Sequence, residues 1–223
     1  DNDMKPKPDV LTRMLPWFYD YVSDRCAYHP NRSVAFAQAP QHFTWDTVGP
    51  EDILCGRNSI FFSAIQRGRD GFDSCAFAGT NAIFRLEALR AVQGLPYESL
   101  TEDALLGMNL LDAGYSSVYV EDKLVVGTAP TTVAAAMQQR KRWCKGSIEI
   151  LLLKLGWGNP SAIEWGAGGR PEPERVARPA NPVRRSIFQA FFKVDTMVYP
   201  VTGSTALLYM LVALIFAISG DVR

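Results

Sequence analysis

The chain has 223 residues, of which 48% are hydrophobic and 11% aromatic, enough for one sizeable domain with a packed core. Its 23 basic and 23 acidic residues cancel, and this neutral balance argues against a general nucleic-acid binder. The four cysteines are scattered, with no CxxC pair and no Cys/His cluster, which disfavours structural zinc and a disulfide framework and favours reduced thiols.

The first half of the chain alternates short strand and helix signals. An amphipathic stretch, "VLTRMLPWFYDYVSD", precedes the β-rich run "SVAFAQAPQHF", in which Val34, Phe36 and Gln38 show a two-residue alternation. The stretch "SIFFSAIQRG" predicts a helix. After a Gly-Thr-Asn turn, the apolar run "AIF" leads into "RLEALRAVQG", a helix predicted to end at Gly94.

The segment "SLTEDALLGMNLLDAGYSSVYVED" is the clearest local unit. Thr101 is a candidate cap for a helix with two acids in its first turn, and Gly114 is placed to end that helix before the strand "SVYVE". The helix has an apolar stripe of Leu106, Leu110 and Leu111. Strands that alternate with helices favour an α/β sheet.

A long helix is predicted next, capped by Thr131 or Thr132 and running to about Leu153. Residues 156–182 are rich in Gly, Pro and charge, and we interpret them as a flexible loop or insertion. Residues 183–195 combine cations with a cluster of phenylalanines, a pattern typical of an amphipathic interfacial helix.

Residues 196–220 contain no charged side chain. As a helix they would reach about 37 Å, which is enough to cross a hydrocarbon core of roughly 30 Å. Arg184, Arg185 and Lys193 lie just upstream, so the preceding domain is expected on the cytoplasmic side of the membrane. The alternative is a buried helix of a soluble protein.

Two acidic clusters are candidates for chemistry. Asp1 and Asp3 in a loop could hold a hard divalent cation, although a solvated acidic loop gives the same pattern. Glu102 and Asp103 lie at a predicted helix start, where acids also stabilise the first turn through the helix dipole. The functional alternative makes Asp103 a general base that deprotonates a hydroxyl.

The string "QQRKRW" lies within the long predicted helix. Gln139, Arg142, Trp143 and Gly146 fall at i, i+3, i+4 and i+7, so they share one face. An amide, a planar guanidinium and an indole plate can together hold a diphosphate and a sugar ring, and Gly146 would leave room for close approach. The alternative is a juxtamembrane basic helix with a tryptophan at the membrane interface.

These three clusters, "DND", "TED" and "QxxRW", occur in the order and rough spacing of the processive family 2 glycosyltransferases. The chain resembles the cellulose synthases most closely, with further similarity in "DMKPKPDVL", "AQAPQHF", "FAGTNAIFRLEAL" and "LLDAGYSSVYVED". The resemblance implies an α/β fold: a partial GT-A type glycosyltransferase domain over residues 1–155 that lacks its N-terminal half. An interfacial helix over residues 183–195 and a transmembrane helix over residues 196–220 would follow.

The resemblance also implies roles for single residues. Asp1 and Asp3 would hold Mg²⁺ or Mn²⁺ against the diphosphate of a UDP-sugar, and Asp103 would be the catalytic base with Glu102 beside it. The donor diphosphate and the acceptor would be bound by Gln139, Arg142, Trp143, Phe77, Gly79 and Thr80. The family usually has Cys where this chain has Ala78, which puts only the local packing in question.

The implied reaction transfers glucose from UDP-glucose to the 4-hydroxyl of a growing β-1,4-glucan, with inversion. The implied partners are the donor, the glucan chain, membrane lipid and other synthase subunits, with no nucleic acid. The implied location is the membrane, the plasma membrane in particular, with the catalytic domain in the cytoplasm. We interpret the chain, which opens on "DNDMKPKPDV", as a fragment, and we expect the fragment alone to be inactive.

Two alternatives stay open. A chitin or hyaluronan synthase would use an N-acetylated donor, but chitin synthases tend to have Arg after the Glu-Asp pair, where this chain has Ala104. A non-catalytic membrane scaffold could keep the same fold. A soluble nucleotide-binding module is disfavoured by the uncharged run at 196–220.

Overall fold

The computed structural model describes residues 4–23, 26–43, 61–127, 130, 132–156 and 193–197. The strands are β1 (Lys5–Pro6), β2 (Tyr19–Val22), β3 (Ala27–Pro30), β4 (Val34–Gln38), β5 (His42–Phe43), β6 (Ala82–Phe84), β7 (Ser116–Tyr119) and β8 (Val125–Gly127). The helices are α1 (Val10–Met14), α2 (Gln66–Asp70), α3 (Leu86–Ala91), α4 (Glu102–Asp112) and α5 (Val133–Lys154). A 3₁₀ turn covers Leu15–Phe18, a π-helical turn over Phe61–Ile65 leads into α2, and residues 193–197 are helical.

The strands form two three-stranded sheets and a hairpin. The first sheet has the order β6-β4-β7, with β7 parallel and β6 antiparallel to the central β4. The second has the order β1-β8-β5, in which β1 is antiparallel and β5 parallel to β8. Strands β2 and β3 form the hairpin. The sheet around β4 positions the candidate site, because α4 packs on it.

Strand β4 is buried on both faces. All five of its residues are inaccessible, which is typical of a central strand covered on both sides rather than of a half-exposed one. The alternation at Val34, Phe36 and Gln38 therefore does not separate a wet face from a dry one. The pairing of β4 with β7 is irregular between Val34 and Phe36, and the fully buried Ala35 and Ala37 lie in different clusters, Ala35 with Phe36 and Ala37 with Val34.

Two hydrophobic clusters cover the two faces of β4. Val34 and Ala37 face a cluster with Met14, Val120 and Leu124, while Phe36 packs with residues of α3 and α4. Helix α4 is shared between neighbours: Leu106 and Leu110 face the sheet, and Leu105 and Met108 pack against Ile150 of α5. Burial on two sides explains why α4 is apolar over more of its surface than one stripe.

Most predicted elements are confirmed. Helix α5 begins after Thr132, whose Oγ1 accepts the Ala135 N–H at 3.2 Å, and it ends at Lys154, one residue beyond the prediction. Gly94 and Gly114 follow α3 and α4 with φ of 82° and 92°, the left-handed region that favours glycine.

The predicted cap of α4 is confirmed in its position but not in its hydrogen bonding. Thr101 is the N-cap residue, but its side chain makes no capping hydrogen bond. Its hydroxyl lies 3.2 Å from Ser99 Oγ, and the Ala104 N–H donates instead to Asp103 Oδ1 at 2.8 Å. Thr101 is buried against α5, and this packing takes the hydroxyl away from the helix end.

Several predictions lie outside the described residues. They concern Asp1 and Asp3, the loop at 156–182 apart from its first residue, most of the interfacial helix at 183–195 and all but two residues of the span at 196–220. In the part of the chain that the structure describes, no helix combines the length and the apolar character needed to cross a membrane.

Candidate active site

The candidate site lies at the carboxyl edge of the β6-β4-β7 sheet. Strands β4 and β7 are parallel and end at the same edge, and Gln38 at the end of β4 pairs with Ala82 at the start of the antiparallel β6. The loop at 76–81 that precedes β6 therefore lies at this edge. Ligands of α/β sheets bind outside the carboxyl ends of the strands, so this loop is well placed to contact one.

Buried amide side chains hold the loop at 76–81 in place. Gln66 bonds both backbone groups of Ala76, donating to its carbonyl at 2.8 Å and accepting from its N–H at 3.0 Å. Gln38 accepts the Ala78 N–H at 3.1 Å and donates to the Thr80 carbonyl at 2.8 Å. Both glutamines are fully buried, so their amides replace strand partners for a non-strand backbone.

Gly79 brings this loop against the N-terminus of α4. Its φ is 80°, and a Cβ placed there would lie 2.7 Å from Asp103 Oδ2. Two features thus favour glycine at this position: the left-handed backbone and the approach of a carboxylate. Thr80 and Asp103 are 23 residues apart in the sequence. The "FAGT" and "TED" motifs nevertheless come into contact, through Gly79 and Asp103.

The environment of Asp103 raises its pKa. The pKa of Asp103 is raised to about 6, mainly by burial of the carboxylate; the charge of Glu102 contributes to the rise, while the Ala104 N–H and the Arg142 guanidinium oppose it. A base whose pKa lies near the working pH combines a useful ionised fraction with a real affinity for the proton. Oδ1 accepts the Ala104 N–H, so Oδ2 is the oxygen on the Gly79 side.

Helix α5 packs directly on the segment that leads into α4. A Cβ on Gly146 would lie 2.4 Å from Thr101 Oγ1 and 2.8 Å from the Thr101 backbone nitrogen. The close approach predicted at Gly146 is therefore made by the chain's own Thr101, and the expectation that Gly146 leaves room for a ligand is wrong. The contact brings the face of α5 that carries Trp143 next to the start of α4.

The "QxxRW" side chains lie on this face of α5. Arg142 is exposed and close enough to Asp103 to lower its pKa, so the two charges share one electrostatic environment. Trp143 is half-buried, and the Arg140 guanidinium lies 5.6 Å from its ring centroid in a cation–π contact. Gln139 is half-buried one turn earlier.

The other predicted residues take different positions. Phe77 points into the core, with its ring centroid 4.8 Å from that of Phe84 and 6.1 Å from that of Phe36. The Thr80 hydroxyl donates to Asn81 Oδ1 at 2.9 Å, and Glu102 is exposed beside Asp103. Of the "FAGT" motif, Gly79 is thus the residue in contact with the acidic side chain.

Sequence reasoning missed Gln38 and Gln66 as residues that shape the site. A signal was present for Gln38, because an amide at the end of the apolar run "VAFAQ" needs buried hydrogen-bond partners. Gln66 lies in an ordinary helical pattern, and its role depends on which loop packs against it. That information is tertiary.

The predicted metal ligands have the chemistry of a site for a hard cation. Asp1 and Asp3 supply hard carboxylate oxygens, the donors that Mg²⁺ prefers and that Mn²⁺ accepts. Among the described residues, no cluster of three or more His, Cys, Asp or Glu side chains could hold a metal ion. The donor set fits a divalent cation, and its placement lies outside the described residues.

Comparison with known proteins shows the family. A UDP-forming cellulose synthase catalytic subunit of Dictyostelium discoideum is 42% identical over 165 residues, which is 70% of this chain and 15% of that protein. The UDP-forming cellulose synthase catalytic subunit of Komagataeibacter sucrofermentans is 30% identical over 125 residues, 54% of this chain and 16% of that protein. The UDP-forming cellulose synthase 1 catalytic subunit of Komagataeibacter xylinus is 30% identical over 123 residues, 53% of this chain and 16% of that protein.

The matched region thus spans 15% to 16% of the length of these relatives. A family model described as "Glycosyl transferase family group 2" matches residues 12–219, nearly the whole chain. The α/β sheet, the acidic residue at its carboxyl edge and this match agree with one another. The chain belongs to glycosyl transferase family group 2.

Proposed function

We propose that this chain is part of a membrane-bound, processive, inverting glycosyltransferase that makes a β-1,4-glucan from UDP-glucose. The observation that carries the proposal is the Asp103 carboxylate, with its raised pKa, held against Gly79 and within the field of Arg142. The similarity to proteins named cellulose synthase catalytic subunits supports glucose as the donor sugar. Because the chain spans only a small share of those proteins, the complete activity is proposed for the longer protein.

The proposed reaction uses Asp103 as the base. Asp103 Oδ2 takes the proton from the 4-hydroxyl at the end of the glucan. The hydroxyl oxygen then forms a bond to C1 of the donor glucose, the bond from C1 to the diphosphate oxygen breaks, and UDP leaves. Attack from the face opposite UDP inverts the configuration at C1. Glu102, beside the base, raises its proton affinity by charge repulsion.

We assign the binding of donor and acceptor to the face of α5. Arg142 presents a planar, charged fork that suits diphosphate oxygens, and Trp143 presents a ring on which a sugar can stack. Gln139 adds an amide one turn away. Gly79 and the backbone of Thr80 would border the acceptor, while Phe77 supports the loop from the core.

Asp1 and Asp3 are the proposed ligands of Mg²⁺ or Mn²⁺. The bound ion would supply positive charge beside the leaving diphosphate. Attachment to the membrane through residues 183–220 would keep the catalytic domain on the cytoplasmic face of the plasma membrane, in contact with lipid and other synthase subunits. A growing chain held beside the bilayer would favour repeated addition over release.

Polymer synthesis by the full-length protein tests the proposal. Membranes that contain it are supplied with radiolabelled UDP-glucose or UDP-N-acetylglucosamine, and the insoluble product is digested with a β-1,4-glucanase. We expect glucanase-sensitive product from UDP-glucose alone, and the Asp103→Asn variant to lose at least about 100-fold in rate. Product from the N-acetylated donor would indicate a chitin or hyaluronan synthase. Unchanged synthesis by Asp103→Asn would indicate a non-catalytic scaffold.

A further inference from the structure

A buried carboxylate outside the proposed catalytic set lies on α5. The Glu149 side chain is 6% exposed, and its Oε2 accepts the Leu100 N–H at 2.8 Å. Its Oε1 has no hydrogen-bond partner among the described residues, and the Lys145 ammonium lies 3.8 Å from it. Burial of a charge with half of its hydrogen-bonding capacity unused costs free energy, so packing alone does not explain a glutamate here.

Glu149 belongs to a set of contacts that join α5 to the Ser99–Thr101 segment. Ser99 Oγ donates to the Gly146 carbonyl at 3.0 Å and accepts the Thr101 N–H at 3.1 Å. Gly146 lies against Thr101 with no space for a Cβ. With the Leu100 N–H bound to Glu149, all three residues of the segment contact α5.

The position of this segment controls where the proposed base lies. Thr101 is the N-cap residue of α4, and Asp103 is the second residue of that helix. The residues of α5 that hold the segment come one to two turns after Trp143. The contacts of the Ser99–Thr101 segment with α5 therefore fix the position of Asp103 relative to the "QxxRW" face.

We propose that Glu149 is a positioning residue, whose bond to the Leu100 N–H holds the Ser99–Thr101 segment on α5 and so sets the distance between Asp103 and the "QxxRW" face. The inference rests on the proposed function. The Glu149 side chain is buried and bonded to the Leu100 N–H, so no contact with sugar or diphosphate is assigned to it. Its effect on the reaction passes through Asp103.

Loss of the bond between Glu149 and the Leu100 N–H should change the pKa of Asp103, which a general loss of stability would not do. Asp103 has a raised pKa because it is buried, so a looser segment admits water and moves the pKa back towards its ordinary value. Among the described residues, the charged groups that act on Asp103 are Glu102 on its own helix and Arg142 on α5, and residues 77–80 of the facing loop carry no charge. Lys145 is the charged group beside Glu149.

The experiment compares three variants of the full-length protein in membranes. Glu149→Leu removes the acceptor, Glu149→Gln keeps an oxygen for the Leu100 N–H, and Lys145→Met removes only the ammonium. We expect Glu149→Leu to lower kcat by about ten-fold or more with KM for UDP-glucose nearly unchanged, because a small displacement of a base affects turnover more than donor binding. Its activity should also persist to lower pH. Glu149→Gln and Lys145→Met should resemble the wild type.

Amide hydrogen exchange of residues 99–103 gives a readout that does not depend on activity. We expect faster exchange in Glu149→Leu than in Glu149→Gln. If Glu149→Leu does not accumulate, Ser99→Ala loosens the same segment and should change kcat and exchange in the same direction.

The outcomes separate the two proposals. Wild-type membranes that make no glucan from UDP-glucose overturn the proposed function, and exchange at residues 99–103 then decides whether Glu149 holds the segment. If the wild type is active and Glu149→Leu has the same kcat, pH profile and amide exchange as the wild type, the inference is overturned. The inference is also overturned if Glu149→Leu and Glu149→Gln lose the same fraction of kcat and the pH at which activity falls on acidification is unchanged in both.

Discussion

Asp103 combines two properties that oppose each other. Its carboxylate is placed where water is partly excluded, which raises its pKa to about 6, and this makes it a better proton acceptor than an exposed aspartate. The same environment destabilises the charged form in the folded protein. A carboxylate with a raised folded pKa therefore lowers stability progressively between its unfolded and its folded pKa, and by the full amount above the folded pKa.

The pH dependence of turnover should report this carboxylate. Asp103 must be ionised to accept a proton, so kcat should fall as the pH is lowered through about 6, to about one tenth of its plateau at pH 5. Initial rates of glucan synthesis between pH 4.5 and 8 measure the profile. A flat profile down to pH 5 would contradict the assignment of Asp103 as the base.

The stability of Asp103→Asn gives the matching test. Because the folded pKa is raised, ionisation costs free energy above pH 6, and the cost disappears below the unfolded pKa near 4. The neutral Asn should therefore stabilise the detergent-solubilised protein at pH 8, by an amount of the order of 1–3 kcal/mol. The difference in Tm from the wild type should shrink as the pH approaches 4. Equal Tm values at pH 8 would show that Asp103 is not desolvated.

At the scale of elements, the site depends on a loop that lacks strand pairing and is held instead by hydrogen bonds to buried side chains. Gln38 and Gln66 supply the partners that neighbouring strands would otherwise provide for the backbone at 76–80. Helix α4 then meets this loop at Gly79, and Gly107 lies over Phe77, where a Cβ would be 3.3 Å from the Phe77 nitrogen. Two glycines thus allow loop and helix to touch.

Gly79→Ala should abolish turnover through contact with Asp103. The new methyl group would lie 2.7 Å from Oδ2 and would push the carboxylate or the loop aside. Gly94→Ala is the matched control, because Gly94 has nearly the same φ, 82° against 80°, and nothing within 4 Å of the added Cβ. Both variants should lose about 1 kcal/mol to backbone strain. Similar kcat values in the two variants would exclude a steric role for Gly79.

At the scale of the whole described molecule, ion pairs join the helical segment 193–197 to α2 and α4. Arg69, with 6% of its side chain exposed, donates to Asp195 at 2.9 Å and to Thr196 at 3.0 Å. Asp112, at the last position of α4, pairs with Lys193 and also with Lys154 of α5 at 2.8 Å. The helix that begins beside the proposed base therefore ends on the segment expected to lead to the membrane.

Asp112→Asn should loosen this connection. Burial by itself would raise the pKa of Asp112, but Lys154 and Lys193 hold it below its ordinary value. Its stabilising effect is thus present at neutral pH and lost as the pH falls through the lowered pKa. We expect a loss of about 1 kcal/mol, since the groups are partly solvent-screened, together with faster amide exchange at residues 193–197. Arg13→Met breaks an exposed pair with Asp122 and should leave both measurements unchanged.

The residue types and local periodicity of the sequence predicted most of the elements. Thr132 starts α5, Gly94 and Gly114 end their helices, and the leucines of α4 are buried, because caps, left-handed turns and apolar stripes depend on neighbours within a few positions. The order of the three motifs indicated the family, because motif order can be read along the chain without knowledge of the fold. The proposed acidic base was likewise marked by its motif.

Only the tertiary structure decided which distant residues meet. It showed that Gly146 receives Thr101 rather than a ligand, that Phe77 supports the core, and that Gly79 faces Asp103. It also revealed the hydrogen bonds that Gln38, Gln66 and Glu149 make to backbone groups 42, 10 and 49 residues away. The role of a buried polar group depends on the hydrogen-bond partner that packing brings to it. The sequence identifies the polar group, but only the tertiary structure identifies its partner.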